Sequence, residues 1–561
     1  MSEEQSELRR LFADEWEVRL QEDPLFASYA GDHRYDDRLP EVTEDAYQRQ
    51  ASQARAFLRR LQTIDYESLS QADRLNYDLF KRELEDRLAE LVFGVFYMPV
   101  GKIFGPQVYL PDLTQILPFA TAQDYENYIS RLEAMYDFLL DHVGLMRAGM
   151  KLGYLPPKVA LEGIEKSLVS HTDPEAAAGL FLEHFERFPA TLGESERDHL
   201  KKRAREALAG SVVPGFRELL KFLVGEYIPA ARQDIAAAAL PQGREFYQHR
   251  VRMYVSYAIT PEEVHKIGLD EVRRIRAEMD GVMHQVGFEG DLQHFLEHLR
   301  TDPRFYVHEP KELLKEVALI LKRMDGELPH LFSKLPRTPY GIREIPDFIA
   351  PHTTTAYYFP PPGDGTSAGY YYVNTYDLKS RPLFEYEALS LHEAVPGHHL
   401  QLALQLELED VPAFRRYLDA TAFIEGWALY SERLGLEVGF YQDPYSNFGR
   451  LCYEMWRAAR LVVDTGMHAL GWTRQQAIDY MATNTALSTL NISNEVDRYI
   501  AWPGQALAYK MGEIKIRQLR ADSEQKMGER FNVREFHRVL LENGGIPLSI
   551  LEKNVNDFIS S

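Results

Sequence analysis

The chain has almost no sulfur chemistry available to it: Cys452 is the single cysteine among 561 residues. One thiol excludes an intrachain disulfide and a thiolate-rich structural zinc site, so a metal held here must rest on imidazoles and carboxylates. A secretory leader pattern is missing too. The start, Met1-Ser2-Glu3-Glu4-Gln5-Ser6-Glu7, is acidic and polar, and no uninterrupted apolar run approaches the roughly 18 residues of a membrane span. These absences set the expectation of a cytoplasmic protein with no membrane partner. Clusters of Lys and Arg are lacking as well, and 63 basic against 85 acidic residues leave a formal charge of -22. A nucleic-acid binder must neutralise phosphates, so no nucleic-acid partner is expected, and the acidity favours solubility. No internal repeat or low-complexity tract is visible, and the sequence leaves the oligomeric state open.

What is present is an ordinary globular composition, 45% hydrophobic and 26% charged. Length alone suggests roughly three to four domain-sized units or one large two-lobed helical body. From residue 4 to about residue 232, apolar residues recur at helical spacing between Glu, Arg, Lys and Gln, which predicts a helical array. Pro and Gly cluster at residues 99–111, 153–157 and 240–243 and predict breaks there. Thr260, Pro261 and Glu263 form an N-cap, first-turn proline and capping box ahead of a helix over residues 264–279. The division is therefore placed between an N-terminal helical region, residues 1–241, and a second region, residues 242–561, the two forming one integrated body. Between residues 336 and 377, the tyrosine-rich runs 356–359 and 370–374 flank a Pro/Gly loop and predict a β-hairpin or small sheet. The loop 363–369 has the wrong spacing for a phosphate-binding glycine loop, and a strand follows where a helix is needed.

The chemistry concentrates in Leu391-His392-Glu393-Ala394-Val395-Pro396-Gly397-His398-His399-Leu400-Gln401 and in Phe423-Ile424-Glu425-Gly426-Trp427-Ala428-Leu429-Tyr430-Ser431-Glu432. Three imidazoles beside a His-Glu pair, with a further carboxylate on another predicted helix, are the parts of a hydrolytic zinc site. In a helical His-Glu-x-x-His signature the second imidazole comes one turn after the first; here Pro396 holds that place. At about 100° per residue a straight helix would turn His398 away from His392, and would leave His399 on the same face but roughly 10 Å along the axis. Pro396 and Gly397 predict a kink or widened turn that could return His398 to the metal. The plainer reading is a helix ending at Val395, with the His pair capping a turn. Glu425 lies in an otherwise apolar segment, and a buried carboxylate needs a partner such as a metal. Gly426 would allow close backbone approach. Glu432, two turns on, could orient a ligand imidazole or pair with Arg433.

These residues resemble the bacterial family known as domain of unknown function 885, through the His-Glu-x-x-Pro-Gly-His-His-x-Gln signature at residues 392–401. The likeness continues through residues 425–432 and 498–512. The family is in turn similar to helical zinc peptidases such as angiotensin-converting enzyme, thimet oligopeptidase and carboxypeptidase Taq. In those, two His of one helix and a Glu some two dozen residues later hold zinc. The resemblance implies one zinc ion per chain held by His392, His398 and Glu425, with Glu393 as general base and His399 as the substitute second imidazole. It implies a mostly α, two-lobed, zincin-like body with a deep channel and a small β-sheet beside the metal helix. It also implies a late tyrosine, Tyr499 or Tyr509, stabilising an oxyanion.

Arg498 and Lys510 are candidates for holding a substrate carboxylate, against ordinary ion pairing. Residues 370–374, with Tyr371 and Asn374, are the candidate edge strand for an extended peptide, against a strand of the core. His352 and the remaining His residues are read as structural. The expected function is a zinc metallopeptidase, or related amide hydrolase, acting on short peptides. Its rivals are a zinc amidase on a non-peptide or modified amino-acid substrate, and a non-catalytic helical binding protein with a structural metal.

Overall fold

A computed structural model of the chain describes residues 3–346, 350, 354–361 and 367–560. His352, the loop residues 362–366 and with them most of the glycine loop lie outside the described residues. The fold is mostly helical, with a small three-stranded sheet. It divides into two compact units: Met1–Phe246 with Pro412–Tyr417, and Tyr247–Val411 with Leu418–Ser561. Among the described residues no helix is long and apolar enough to cross a membrane.

The first unit contains α1 (Glu3–Glu22), α2 (Pro24–Tyr29), α3 (Glu44–Gln62), α4 (Gln71–Val92), α5 (Pro106–Asp112) and α6 (Ala122–Leu152), followed by shorter helices. Side-chain caps set their starts, because the first backbone N–H groups of a helix lack internal partners. Asp23 caps α2, Thr43 caps α3, Ser70 caps α4, and Thr121 with Asp124 makes a capping box on α6. Tyr128, Leu132, Met135 and Leu139 of α6 are buried in a core with Phe181, Phe216 and Leu219. The expected break at residues 99–111 holds a helix of its own, α5. Pro106 sits in its first turn, where a missing N–H costs nothing.

The second unit contains α7 (Pro261–Gln285), α8 (Pro310–Leu331), β1 (Tyr340–Glu344), β2 (Ala356–Phe359), β3 (Gly369–Val373), α9 (Tyr386–Glu393), α10 (His398–Leu406), α11 (Thr421–Leu434), α12 (Pro444–Ala469), α13 (Thr489–Ala501) and α14 (Ala508–Met527). The capping box of Thr260 and Glu263 on α7 is present as read from sequence, with Pro261 in the first turn. The tyrosine runs do pair as antiparallel neighbours, β2 with β3, in register Ala356↔Val373 to Phe359↔Tyr370. A further strand, β1, pairs parallel with β3, so the order is β1-β3-β2. The candidate edge strand is thus corrected: β3 is central, with both backbone edges engaged, and cannot add a peptide strand. Gly426 has the close contact expected of it, and the partner is α14. A Cβ on Gly426 would come within 2.5 Å of Gly512 Cα, and one on Gly512 within 1.9 Å of Ala422 O.

Candidate metal centre

The segment from His392 to His398 is not one bulged helix. α9 ends at Glu393, and α10 begins at His398, so the two imidazoles come from different helices. Between them the chain turns back on the end of α9: Gly397 N–H donates to Leu391 O at 3.0 Å, and His399 N–H to Ala394 O at 3.0 Å. Gly397 is required here, since a Cβ would stand 1.9 Å from His392 O. Trp427 of α11, fully buried, fastens the turn by donating Nε1–H to Pro396 O at 2.8 Å. Pro396 therefore acts through a helix break, where a straight helix would have kept His398 away from His392.

The turn brings the rings of His392 and His398 to a centroid distance of 4.8 Å at 88°. Glu425 Oε2 lies 3.7 Å from His392 Nε2 and 3.6 Å from His398 Nε2. A tetrahedral zinc ion with bonds of about 2.0–2.2 Å separates its ligand atoms by about 3.3–3.6 Å; the two imidazole-to-carboxylate distances match this closely, and all three donor atoms lie within 4.8 Å of one another. His392 Nδ1 donates to Glu432 Oε1 at 2.8 Å, which fixes the ring with Nε2 toward Glu425. His398 Nδ1 is buried without a hydrogen-bond partner among the described residues. Burial works against a charged His392, but the Glu425 and Glu432 carboxylates outweigh it and lift its pKa to about 9. Burial likewise pushes the Glu425 carboxyl up, and the two imidazoles override that and hold it well below the usual carboxylate range. Glu393 is half-buried beside His392, and its carboxylate has no hydrogen bond or ion pair to a described residue.

The other sequence candidates divide. His399 is turned away from the trio: Tyr358 Oη lies 2.8 Å from its Nδ1, its ring packs 5.0 Å from that of Tyr340, and burial holds its pKa near 4. The second imidazole of the trio is His398, and His399 anchors the sheet. Tyr499 donates to Glu495 at 2.6 Å and accepts from Arg460 Nε at 2.9 Å, so its hydroxyl is committed. The Tyr509 phenol is raised by burial first and then by the field of Glu425, which puts it in electrostatic reach of the trio. Arg498 is held by Glu495 and Gln505. Lys510 is fully buried, with Nζ 2.7 Å from Glu454 and 2.8 Å from Glu513, so it is not a receptor for a substrate carboxylate. Tyr371 and Asn374 are also fully buried; Asn374 donates to Ala350 O and Thr354 O and ties a loop to the end of β3. Neither offers a surface to substrate.

Arg460 escaped the sequence reading. Its guanidinium lies 4.4 Å from the ring of Tyr509 and of Trp456, with Nη1 buried and without a hydrogen-bond partner among the described residues. The signal was there: Arg450, Glu454, Arg457, Arg460 and Asp464 form a charged stripe at three- and four-residue spacing inside the otherwise apolar α12, where charges require partners.

The family described as "Bacterial protein of unknown function (DUF885)" matches residues 24–555. The chain belongs to this family. A solved structure titled as the "putative lipoprotein" from Colwellia psychrerythraea is 28% identical, with a TM-score of 0.94 and all of both chains covered. A second, titled as a "putative lipoprotein of unknown function" from Shewanella oneidensis, is 18% identical with a TM-score of 0.73, covering 97% of this chain and 98% of that one, and so shares the fold. Among curated proteins none matches the chain.

Proposed function

We propose that the protein is a zinc-dependent hydrolase of amide bonds, a metallopeptidase acting on short peptides, with one zinc ion held by His392, His398 and Glu425. The observation that carries this reading is the convergence of two imidazole Nε2 atoms on one Glu425 oxygen at 3.6 and 3.7 Å, beside a Glu393 carboxylate bonded to none of the described residues. A bound zinc with an open position supplies a Lewis acid that acidifies water and polarises a carbonyl. Glu393, next in sequence to His392, would accept the proton of attacking water and pass it to the leaving amine. Tyr509, whose phenol feels the field of Glu425, would donate a hydrogen bond to the developing oxyanion, and Glu432, bonded to His392 Nδ1, would keep that ring in the tautomer that leaves Nε2 as donor atom. The likeness to helical zinc peptidases and a zincin-like channelled architecture belong to this proposal, with the difference that the two imidazoles come from two helices.

A cytoplasmic location is part of this proposal and is checked by cell fractionation; both similar structures are titled as lipoproteins, and recovery of the protein in the membrane fraction would overturn it. The test of function is elemental analysis of protein purified without chelator or affinity-tag histidines, beside the double variant His392→Ala/His398→Ala. One zinc per chain, absent from the variant and accompanied by cleavage of unmodified short peptides, is the expected result. Zinc-free protein that takes up none on addition would sink the proposal. Zinc with no cleavage of peptides would move it to a non-peptide amide.

A further inference from the structure

The charged stripe of α12 carries more positive charge beside the metal centre than its neighbours balance. Arg457 and Arg460 lie three residues apart on that helix, at 5% and 4% exposure. Both guanidiniums stand over the ring of Trp456, 4.7 and 4.4 Å from its centroid, and that ring is only half-buried. Among the described residues Arg457 makes no ion pair; its hydrogen bond from Nη1 to Tyr453 O is 3.4 Å long, and its Nε is buried without a partner. Arg460 gives Nε to Tyr499 Oη at 2.9 Å and Nη2 to Glu495 at 3.1 Å, which leaves its buried Nη1 without a partner there. Glu495 is shared with Arg498, whose Nη2 stands 3.1 Å from the same oxygen. Three guanidiniums thus depend on one carboxylate, in a chain whose formal charge is -22.

A buried charge without a counter-charge is costly, so an unmatched buried guanidinium asks for an anion. Earlier on the same helix the demand is met: Arg450 pairs with Glu454 at 2.9 Å. The unmatched pair also borders the helices of the metal site. Arg460 lies 4.4 Å from the ring of Tyr509, three residues before Gly512, where α14 meets the backbone of α11 at Gly426, the neighbour of Glu425. Arg457 lies 4.8 Å from the ring of Tyr453, whose hydroxyl donates at 3.4 Å to Glu385, the residue before α9. That helix ends in His392 and Glu393. Glu385 lies in the field of Arg457 without pairing to it, and burial pushes its carboxyl up to about 7, so it supplies only part of the missing charge.

We propose that Arg457 and Arg460 hold the free C-terminal carboxylate of a short peptide substrate, so that cleavage falls near the C-terminal end. The demand for an anion comes from the unmatched guanidiniums; the choice of a peptide to carry it rests on the peptidase reading above. A guanidinium presents a planar fork of N–H donors that suits a carboxylate, and Nε of Arg457 and Nη1 of Arg460 are the donors left for it. Every linear peptide carries a terminal carboxylate whatever its sequence, whereas an acidic side chain would confine the substrate to particular sequences. Trp456 between the two arginines offers an apolar face to the terminal side chain.

The probe is acetyl-Ala-Ala-Phe with a free carboxylate, titrated calorimetrically into the full zinc-loaded chain carrying Glu393→Gln, so that turnover does not interfere. Beside it stand the C-terminal amide of the same peptide and acetyl-Ala-Glu-Phe amide, which moves the carboxylate to a side chain. The acid should bind at one site per chain, with both amides weaker by about tenfold or more. Arg457→Gln and Arg460→Gln, added singly and checked by a thermal melt, should each weaken the acid by about tenfold and leave the amides unchanged. Arg457 makes no ion pair, so its variant carries the test if Arg460→Gln, which also loses Glu495 and Tyr499, does not fold. No binding of the acid, equal affinity for acid and amide, tighter binding of the Glu-containing amide, or a folded Arg457→Gln that binds the acid unchanged overturns the proposal. The hydrolase reading fails separately: preference for the acid without cleavage by the wild type would sink hydrolysis and keep the carboxylate site, whereas cleavage indifferent to amidation would sink the carboxylate site and keep the hydrolase.

Discussion

Among the described residues, two places in the second unit gather three metal-type side chains whose ligand atoms lie within 4.8 Å of one another: His392, His398 and Glu425, and Glu271, Glu454 and Glu513. On donor spacing alone they are alike. They differ in what already balances the charge. Lys510 Nζ stands 3.0 Å from Glu271, 2.7 Å from Glu454 and 2.8 Å from Glu513, at the place a cation would take. Arg274, Arg450 and Arg517 pair with the same carboxylates, so four cations already face three anions. The histidine trio has one carboxylate and two imidazoles as donors, with Glu393 alongside bonded to none of the described residues. Proximity of ligand atoms is therefore a weak criterion for a metal site, and the resident counter-charges decide.

The sharpest break in the comparison is Glu393→Gln, which keeps shape and removes the base. Peptide hydrolysis should fall by about 10²–10⁴-fold while zinc content stays at the wild-type level; retained turnover would remove Glu393 from the reaction. Next is the crossed pair Glu425→Ala and Glu454→Gln, assayed for metal and for urea stability. Glu425→Ala should lose zinc. Glu454→Gln should keep it but lose about 3–5 kcal/mol of stability, because it leaves buried cations without their anion. The reverse pattern of metal loss would exchange the roles of the two clusters. Below these, Tyr509→Phe should reduce kcat by about 10²–10³-fold with little change in KM, the signature of an oxyanion donor. Tyr499→Phe, whose hydroxyl is held by Glu495 and Arg460, should act on stability first; equal kcat losses in both would remove the distinction.

Much of this was legible in the residues because it is local. The Thr260 capping box and the helical spacing of the first 230 or so residues need only neighbours a few positions away, and the two tyrosine runs pair across a single loop. The metal trio was half legible: His392, Glu393 and Glu425 could be named, but the choice of His398 depended on whether Pro396 bent a helix or ended it. That choice is made by Trp427, 31 positions on, holding Pro396 O, and by the contact of Gly397 with His392 O. Long-range partners also hid β1, whose residues Tyr340-Gly341-Ile342-Arg343-Glu344 become a strand by pairing with β3, and with it the fact that β3 is central. Lys510 looked available for the same reason, since its three carboxylates come from α7, α12 and α14, and only Glu513 lies near it in sequence.

The smallest expected effect concerns acid. Glu271 is 18% exposed, and although burial pushes its carboxyl up, Arg274 and Lys510 hold its pKa near 2. A carboxyl with a depressed folded pKa gives stability that is present above its unfolded value of 4.5 and is lost as the pH falls from there through about 2. The carboxylate cluster should therefore loosen in this window, and Glu271→Gln should flatten the loss. Urea midpoints compared near neutral pH and near pH 3, on protein stripped of zinc so that metal release does not contribute, measure that slope. A wild-type slope no steeper than that of Glu271→Gln would mean that the ammonium and guanidinium groups of the cluster are not what keep this carboxyl ionised, and the contrast with the histidine trio would rest on Glu454 and Glu513 alone.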